Sequence, residues 1–311
     1  MNHQQQITST RKLPLEPERQ FMKKVLLLSC AWLVALASCQ TAPSPAPSPA
    51  PSQAPPATIT PTPFVGSARV KLGDITMYFE VRGGGKPLIL LHGGFGSADD
   101  WVNQVLVFSQ DFRVITPDSR GQGRTTDSEG SISYHQMAED TLRLMDYLGI
   151  DSAYIVGWSD GGITGIDLAI HHPERVTALV AYGANISPDG LQQGVIAYLQ
   201  NSSVDDLQRD LGAEYRRLSP QPERLPIVIE KIRAMWLTEP DFTAQELAAI
   251  TAPTLIIDGQ NEEVVRTDQA KAIAAAIPNA ELVILPAVGH YALTQTPEVW
   301  NQTVLDFLKG K

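Results

Sequence analysis

A series of short apolar runs, separated by amphipathic stretches, constrains this chain more than any other feature. Leu88 to Leu91, Phe112 to Thr116, Ala153 to Val156, Val176 to Ala181, Thr254 to Ile257 and Leu282 to Leu285 show no polar alternation. Runs of this kind read as strands buried on both faces, which belong in a parallel sheet whose crossovers are helices. Between them lie helical patterns. Ser133 with Gln136 forms a capping-box signature before Met137, Leu144, Met145 and Leu148, and Gly149 closes that helix. Gly162 to His172, halted by Pro173, and Thr267 to Ile277 supply two more, and a last helix opens at Thr296-Pro297-Glu298 with Thr as N-cap. Val70 to Lys71 and Thr76 to Val81 read as a leading hairpin turned at Gly73-Asp74. From about residue 187 to 251 strand signals stop, and Val195 to Leu199, Val204 to Leu218 and Ile227 to Trp236 carry helical periodicity, as expected of a helical cap inserted in the α/β unit after the sixth strand.

The strand at Ala153 to Val156 runs straight into Gly157-Trp158-Ser159-Asp160-Gly161. A serine hydroxyl needs a base, a group that orients the base, and donors for the developing oxyanion. Flanking glycines permit a turn tight enough to hold Ser159 exposed at the tip, so Ser159 is the candidate nucleophile. His290, in Ala287-Val288-Gly289-His290-Tyr291 between the last strand and the last helix, is the candidate base. The acid must come from Asp258-Gly259-Gln260-Asn261-Glu262-Glu263, where Glu262, Asp258 and Glu263 compete. A carboxylate in this role need only accept the Nδ1 proton bond and stabilise the imidazolium. The backbone amides of Gly94, after the strand ending at Leu91, and of Asp160 are the expected oxyanion donors. Asp160, Trp158 and Phe95 are the expected substrate contacts, and Tyr198, Tyr215 and Trp236 are cap residues that could shape a pocket.

With these residues in place, the region from Phe64 to Leu308 resembles the α/β-hydrolase superfamily. That resemblance implies an α/β-hydrolase fold with a mostly parallel eight-stranded sheet, helices on both faces, and the chain order serine, acid, histidine. Relatives commonly carry Gly-x-x-Asp after this strand, which favours Glu262 as the acid. His92 resembles the histidine of the family's His-Gly turn and is expected to brace that loop. Asp118 and Arg120, in Pro117-Asp118-Ser119-Arg120-Gly121-Gln122-Gly123-Arg124, are read as structural. Gly157 to Thr164, with Tyr182-Gly183-Ala184-Asn185, is more narrowly similar to the valacyclovirase (biphenyl hydrolase-like) group. This implies that the Asp160 side chain could receive a substrate α-amino group, the alternative being that it contributes only its amide. The expected activity is hydrolysis of a small carboxylic ester, possible substrates including α-amino acid esters. Carbon–carbon bond hydrolysis or cofactor-free perhydrolysis would use the same residues, and a lipid-tethered binding module without catalysis is the reading from another class.

Composition excludes several chemistries. Of 311 residues 43% are hydrophobic, which suits one large folded domain, and the formal net charge of −10 argues against nucleic acid as a partner. Cys30 and Cys39 are the only cysteines, so the folded part has no thiol for a disulfide, zinc site or nucleophile. His92, His135, His171, His172 and His290 show no HxH or HExxH spacing, so neither a metal nor a cofactor is expected. At the N-terminus Met22-Lys23-Lys24 precedes an apolar run from Val25 to Ala37, short for a spanning helix. Leu36-Ala37-Ser38-Cys39 resembles a bacterial lipoprotein signal whose lipidated residue would be Cys39. Residues 1–38 are therefore expected to be an N-terminal extension and signal, with translation starting at Met1 or Met22. Residues 39–63 read as a Pro/Ala/Ser-rich spacer, and 64–311 as the hydrolase domain. The protein is expected to be exported and membrane-anchored, facing the periplasm or cell exterior.

Overall fold

The computed structural model describes residues 65–311. The expected export signal, the candidate lipidation residue Cys39 and the expected proline-rich spacer lie outside these residues. No helix among the described residues is long and apolar enough to cross a membrane.

The apolar runs form one eight-stranded sheet in the order β1-β2-β4-β3-β5-β6-β7-β8. The strands are β1 (Gly66–Leu72), β2 (Ile75–Arg82), β3 (Lys86–Leu91), β4 (Phe112–Pro117), β5 (Ala153–Trp158), β6 (Val176–Tyr182), β7 (Thr254–Gly259) and β8 (Ala280–Leu285). β1 pairs antiparallel with β2 and β2 antiparallel with β4, and the remaining neighbours are parallel. The leading hairpin turns where expected, with Gly73 at φ +57°. β5 is buried along its whole length and lies between β3 and β6, which places its carboxyl end, with the start of the Ser159 turn, in the centre of the sheet.

Helices cover both faces. In chain order they are α1 (Val102–Phe108), α2 (Tyr134–Tyr147), α3 (Asp160–His171), α4 (Gln193–Asn201), α5 (Val204–Leu211), α6 (Ala213–Leu218), α7 (Leu225–Thr238), α8 (Ala244–Ala248), α9 (Thr267–Ala276), α10 (Ala292–Gln295) and α11 (Pro297–Lys309). Two apolar clusters result. One joins α2, α3, α9 and the cap to one face of the sheet, and the other packs Trp101, Phe108 and Trp300 against the opposite face. The elements α4 to α8 lie between β6 and β7 and form the expected cap.

Several local readings change. The pattern from Val204 to Leu218 is two helices, because Gly212 closes the first and a Cβ there would come within 2.5 Å of the Gln208 carbonyl. Ser133 caps α2 by accepting from the Gln136 amide at 3.1 Å, but the cap is one-sided. Thr296 precedes Pro297 as expected, yet its side chain makes no cap bond. The short helices α1, α8 and α10 have no counterpart in the sequence reading, as expected for elements too brief to display periodicity.

The turn after β4 is tied down by buried charge. Arg120 lies between Asp140 of α2, at 2.8 Å, and Asp74 of the leading hairpin, at 3.1 Å. Asp118 accepts from the amides of Ala98 and Arg124, both at 2.6 Å. Both residues are therefore structural: Arg120 ties the turn to the hairpin and α2, and Asp118 ties it to the loop after β3 that carries Gly94.

Candidate active site

Ser159 sits between β5 and α3 at φ +55° and ψ −120°, a conformation that a residue with a side chain adopts only when its surroundings enforce it. Here the enforcement is contact. A Cβ on Gly157 would fall 2.1 Å from the Gly161 carbonyl oxygen, and one on Gly161 would fall 1.9 Å from that of Leu91. The Ser159 amide donates to the Tyr182 carbonyl at 2.7 Å, pinning the turn to β6. Asp160 opens α3, so its amide belongs to the first turn, where N–H groups have no intrahelical acceptor and the helix dipole favours negative charge.

Ser159, His290, Gly94 and Asp160 line one cavity beneath the cap. Gly94 is confined to glycine by its neighbours, since a Cβ would come within 2.4 Å of the Trp236 ring and 2.8 Å of Asp160 Oδ2. The adjoining amide of Phe95 is committed to Gln122 Oε1 at 2.6 Å. Ser119 N donates to His92 Nε2 at 2.9 Å, so the ring's proton is on Nδ1, which donates to the Gly93 carbonyl at 2.7 Å. His92 therefore braces the loop that carries Gly94.

His290 is held from several sides. Its Nδ1 lies 2.8 Å from Glu262 Oε1, and both side chains are buried. The contact is close but without ideal hydrogen-bond alignment, since neither Nδ1 nor Glu262 Oε2 has an aligned partner. Glu262 Oε1 also accepts from the amides of Val264, at 2.8 Å, and Val265, at 3.1 Å. Glu263 takes a different role, accepting from the His290 backbone amide at 3.0 Å. Trp158 Nε1 donates to the His290 carbonyl at 2.9 Å, and the Tyr182 hydroxyl donates to the Gly289 carbonyl. Gly183, at φ +63°, lies under the imidazole, where a Cβ would meet Cε1 at 2.8 Å.

The three competing acids thus separate. Only Glu262 approaches the imidazole. Asp258 is buried at the end of β7, and burial, the neighbouring Glu262 charge and a hydrogen bond to Glu262 push its pKa up to about 8. It is therefore largely protonated at neutral pH. Burial opposes ionisation of Glu262, but the His290 charge and hydrogen bonding outweigh it and bring Glu262 below the usual glutamate value. Burial likewise opposes protonation of His290, and Glu262 reverses the sign, so His290 lies above the usual histidine value.

The remaining walls divide the expected substrate contacts. Trp158, Tyr198 and Trp236 line the cavity. Tyr215 does not; it is buried in the cap and donates to the Gln221 carbonyl at 3.0 Å. Phe95 stands behind the wall, its ring edge-on to Trp236 at 5.9 Å, because positive φ and the Gln122 bond turn the loop away from the cavity there. The Asp160 carboxylate is buried and engaged: Oδ1 accepts from the Tyr134 hydroxyl at 2.9 Å, and Trp236 Nε1 lies 2.9 and 3.0 Å from Oδ1 and Oδ2. Burial raises its pKa against these bonds. Tyr134, Glu239 and Asn185 also line the cavity. Nothing in the sequence singles out Tyr134 or Glu239, which reach the site from α2 and the end of α7.

Residues 86–203 match the α/β hydrolase fold family model. The carbamate hydrolase RutD of Caulobacter sp. (strain K31), so named, is 30% identical over 267 residues, covering 76% of this chain and 96% of that protein. This chain belongs to the α/β-hydrolase fold family. It is a hydrolase by that membership, and the activities for which similar proteins are named differ. A 2-hydroxy-6-oxo-6-(2'-aminophenyl)hexa-2,4-dienoic acid hydrolase of Metapseudomonas resinovorans is 27% identical, covering 78% of this chain and 90% of that protein. A thermophilic esterase from Thermogutta terrifontis, solved with malate bound, superposes with a TM-score of 0.63 at 25% identity, covering 78% of this chain and 98% of the other.

Two outcomes follow from the acid assignment. Glu262→Gln is expected to lower kcat by roughly 10²- to 10⁴-fold, and Asp258→Asn, which replaces an already neutral group, to stay within about fivefold of wild type; comparable losses in both would contradict the division of roles. The base must be neutral to accept a proton, so kcat/KM should rise with pH as His290 deprotonates. The midpoint of this acid limb is expected above 6.5, and a midpoint at or below that value would overturn the Glu262–His290 coupling.

Proposed function

We propose that the protein is a serine hydrolase that cleaves small carboxylic esters by acyl transfer, with α-amino acid esters as its substrate class. Ser159 Oγ attacks the ester carbonyl as His290 takes its proton, with Glu262 orienting the ring and stabilising the imidazolium. The amides of Gly94 and Asp160 receive the oxyanion, His290 returns the proton to the departing alcohol, and water then attacks the acyl-enzyme by the same route. The similarity to an esterase supports the ester reading.

The observation that carries the substrate class is the Asp160 carboxylate beside Ser159, in a cavity that also presents Glu239 and has no lysine or arginine in its lining. Carboxylates in a low-dielectric pocket favour a cation and penalise an anion. A carboxylate offers about four acceptor positions, and Asp160 receives two protein donors, the Tyr134 hydroxyl and the single Trp236 N–H that lies between both oxygens, which leaves acceptor capacity for an ammonium. The resemblance of the Gly157 to Thr164 stretch to the valacyclovirase group agrees with this reading. The resemblance of the N-terminus to a lipoprotein signal leads us to place the domain outside the cytoplasmic membrane, tethered by lipid on Cys39.

A panel of aminoacyl, simple acyl and carbamate esters, together with a vinylogous diketone, tests the substrate class. Asp160→Asn is expected to reduce kcat/KM for aminoacyl esters at least about tenfold more than for simple acyl esters. Equal losses across the panel would remove the ammonium site, and preferred turnover of the diketone would replace ester cleavage with carbon–carbon bond cleavage. For the tether, Cys39→Ser is expected to move the protein from the membrane to the soluble fraction, and unchanged partitioning would refute lipidation.

A further inference from the structure

Outside the cavity, α2 and α3 bring three metal-ligating side chains together. His135 lies in the first turn of α2, and Asp167 and His171 lie one turn apart on α3. Asp167 Oδ1 is 2.9 Å from His135 Nδ1 and 3.2 Å from His171 Nδ1, and one ligand atom from each residue lies within 4.8 Å of the others. In a tetrahedral zinc site with bonds of about 2.0–2.2 Å, neighbouring ligand atoms stand about 3.3 Å apart, a spacing that both histidine–Asp167 pairs already approach. The Asp167 side chain is buried at 7% exposure, whereas the histidines are 53% and 42% exposed, which anchors the carboxylate and leaves the imidazoles open to an arriving ion. The charges of Glu139 and Glu246 act on His135 and His171, adding to a field that attracts cations. The expectation of no metal site rested on spacing along the chain, a signal blind to ligands contributed by two helices.

We propose that His135, Asp167 and His171 bind a divalent transition-metal ion of the zinc type, with water completing its coordination. Two imidazoles and one carboxylate are suitable zinc ligands, and the ion replaces the protons that otherwise bridge the histidines to Asp167. His171 Nδ1 also lies 3.0 Å from the Asp167 carbonyl, a contact that gives way on metal binding. Asp167 stands about 12 Å along the helix from Ser159, so the ion takes no part in bond cleavage. It instead fastens α3, whose first residue is Asp160, to α2, whose first residue is Tyr134.

The test is titration of the full chain, stripped with chelator, with zinc sulfate by calorimetry, alongside thermal unfolding with and without zinc. We expect one ion per chain at micromolar affinity and a raised unfolding midpoint. His135→Ala, His171→Ala and Asp167→Asn should each weaken binding by at least about tenfold, while circular dichroism shows each variant folded. The double variant His135→Ala/His171→Ala should lose the thermal shift and retain ester turnover. No binding by wild type, or zinc affinity unchanged in the three variants, would overturn the site.

Discussion

The backbone of the Ser159 turn is the constraint on which the remaining geometry depends. Its left-handed conformation is unfavourable for serine, and it persists because β3, β5, β6 and α3 meet there with no space for an alternative. Gly157 and Gly161 touch backbone, the Ser159 amide is fixed to Tyr182, and α3 starts immediately afterwards. One turn therefore places a hydroxyl, an unsatisfied amide and a helix dipole in the same cavity. The Asp118 bond to Ala98 and the Ser119 bond to His92 steady the adjacent loop after β3 that carries Gly94.

The histidine side is built by a different method. His290 lies on a loop, and loops are positioned by bonds from their neighbours. Trp158, next to the candidate nucleophile, bonds to the His290 carbonyl, Tyr182 at the end of β6 bonds to Gly289, and Glu263 receives the His290 amide. These contacts tie the base to the strands that hold the serine. The adjacent carboxyl groups of Asp258 and Glu262 would repel each other if both were ionised; keeping Asp258 protonated leaves Glu262 as the ionised member of that pair, against His290 Nδ1.

Much of this architecture was legible in the residues. Buried parallel strands announce themselves as apolar runs, and all six runs became strands of the sheet, but Leu282 to Leu285 forms β8 at the sheet edge, where Leu282 and Ile284 are exposed rather than buried. Asp118, Arg120 and His92 proved structural, as their place in turns suggested. Glu262, Asp258 and Glu263 could not be separated by sequence, because six residues at the end of β7 offer three carboxylates and only the fold decides which faces the imidazole. Phe95 was misplaced for a similar reason: adjacency to Gly94 says nothing about the direction of a side chain at positive φ. Tyr134, Glu239 and the His135–Asp167–His171 cluster escaped notice because each depends on packing between distant elements.

The central claim, that Ser159 is the activated nucleophile of this site, is tested most directly by fluorophosphonate labelling followed by mass analysis of the modified peptide. The account predicts one adduct per chain, on Ser159, absent in Ser159→Ala and strongly slowed in His290→Ala. Labelling that persists in a folded Ser159→Ala protein, or an adduct located on another residue, would contradict it.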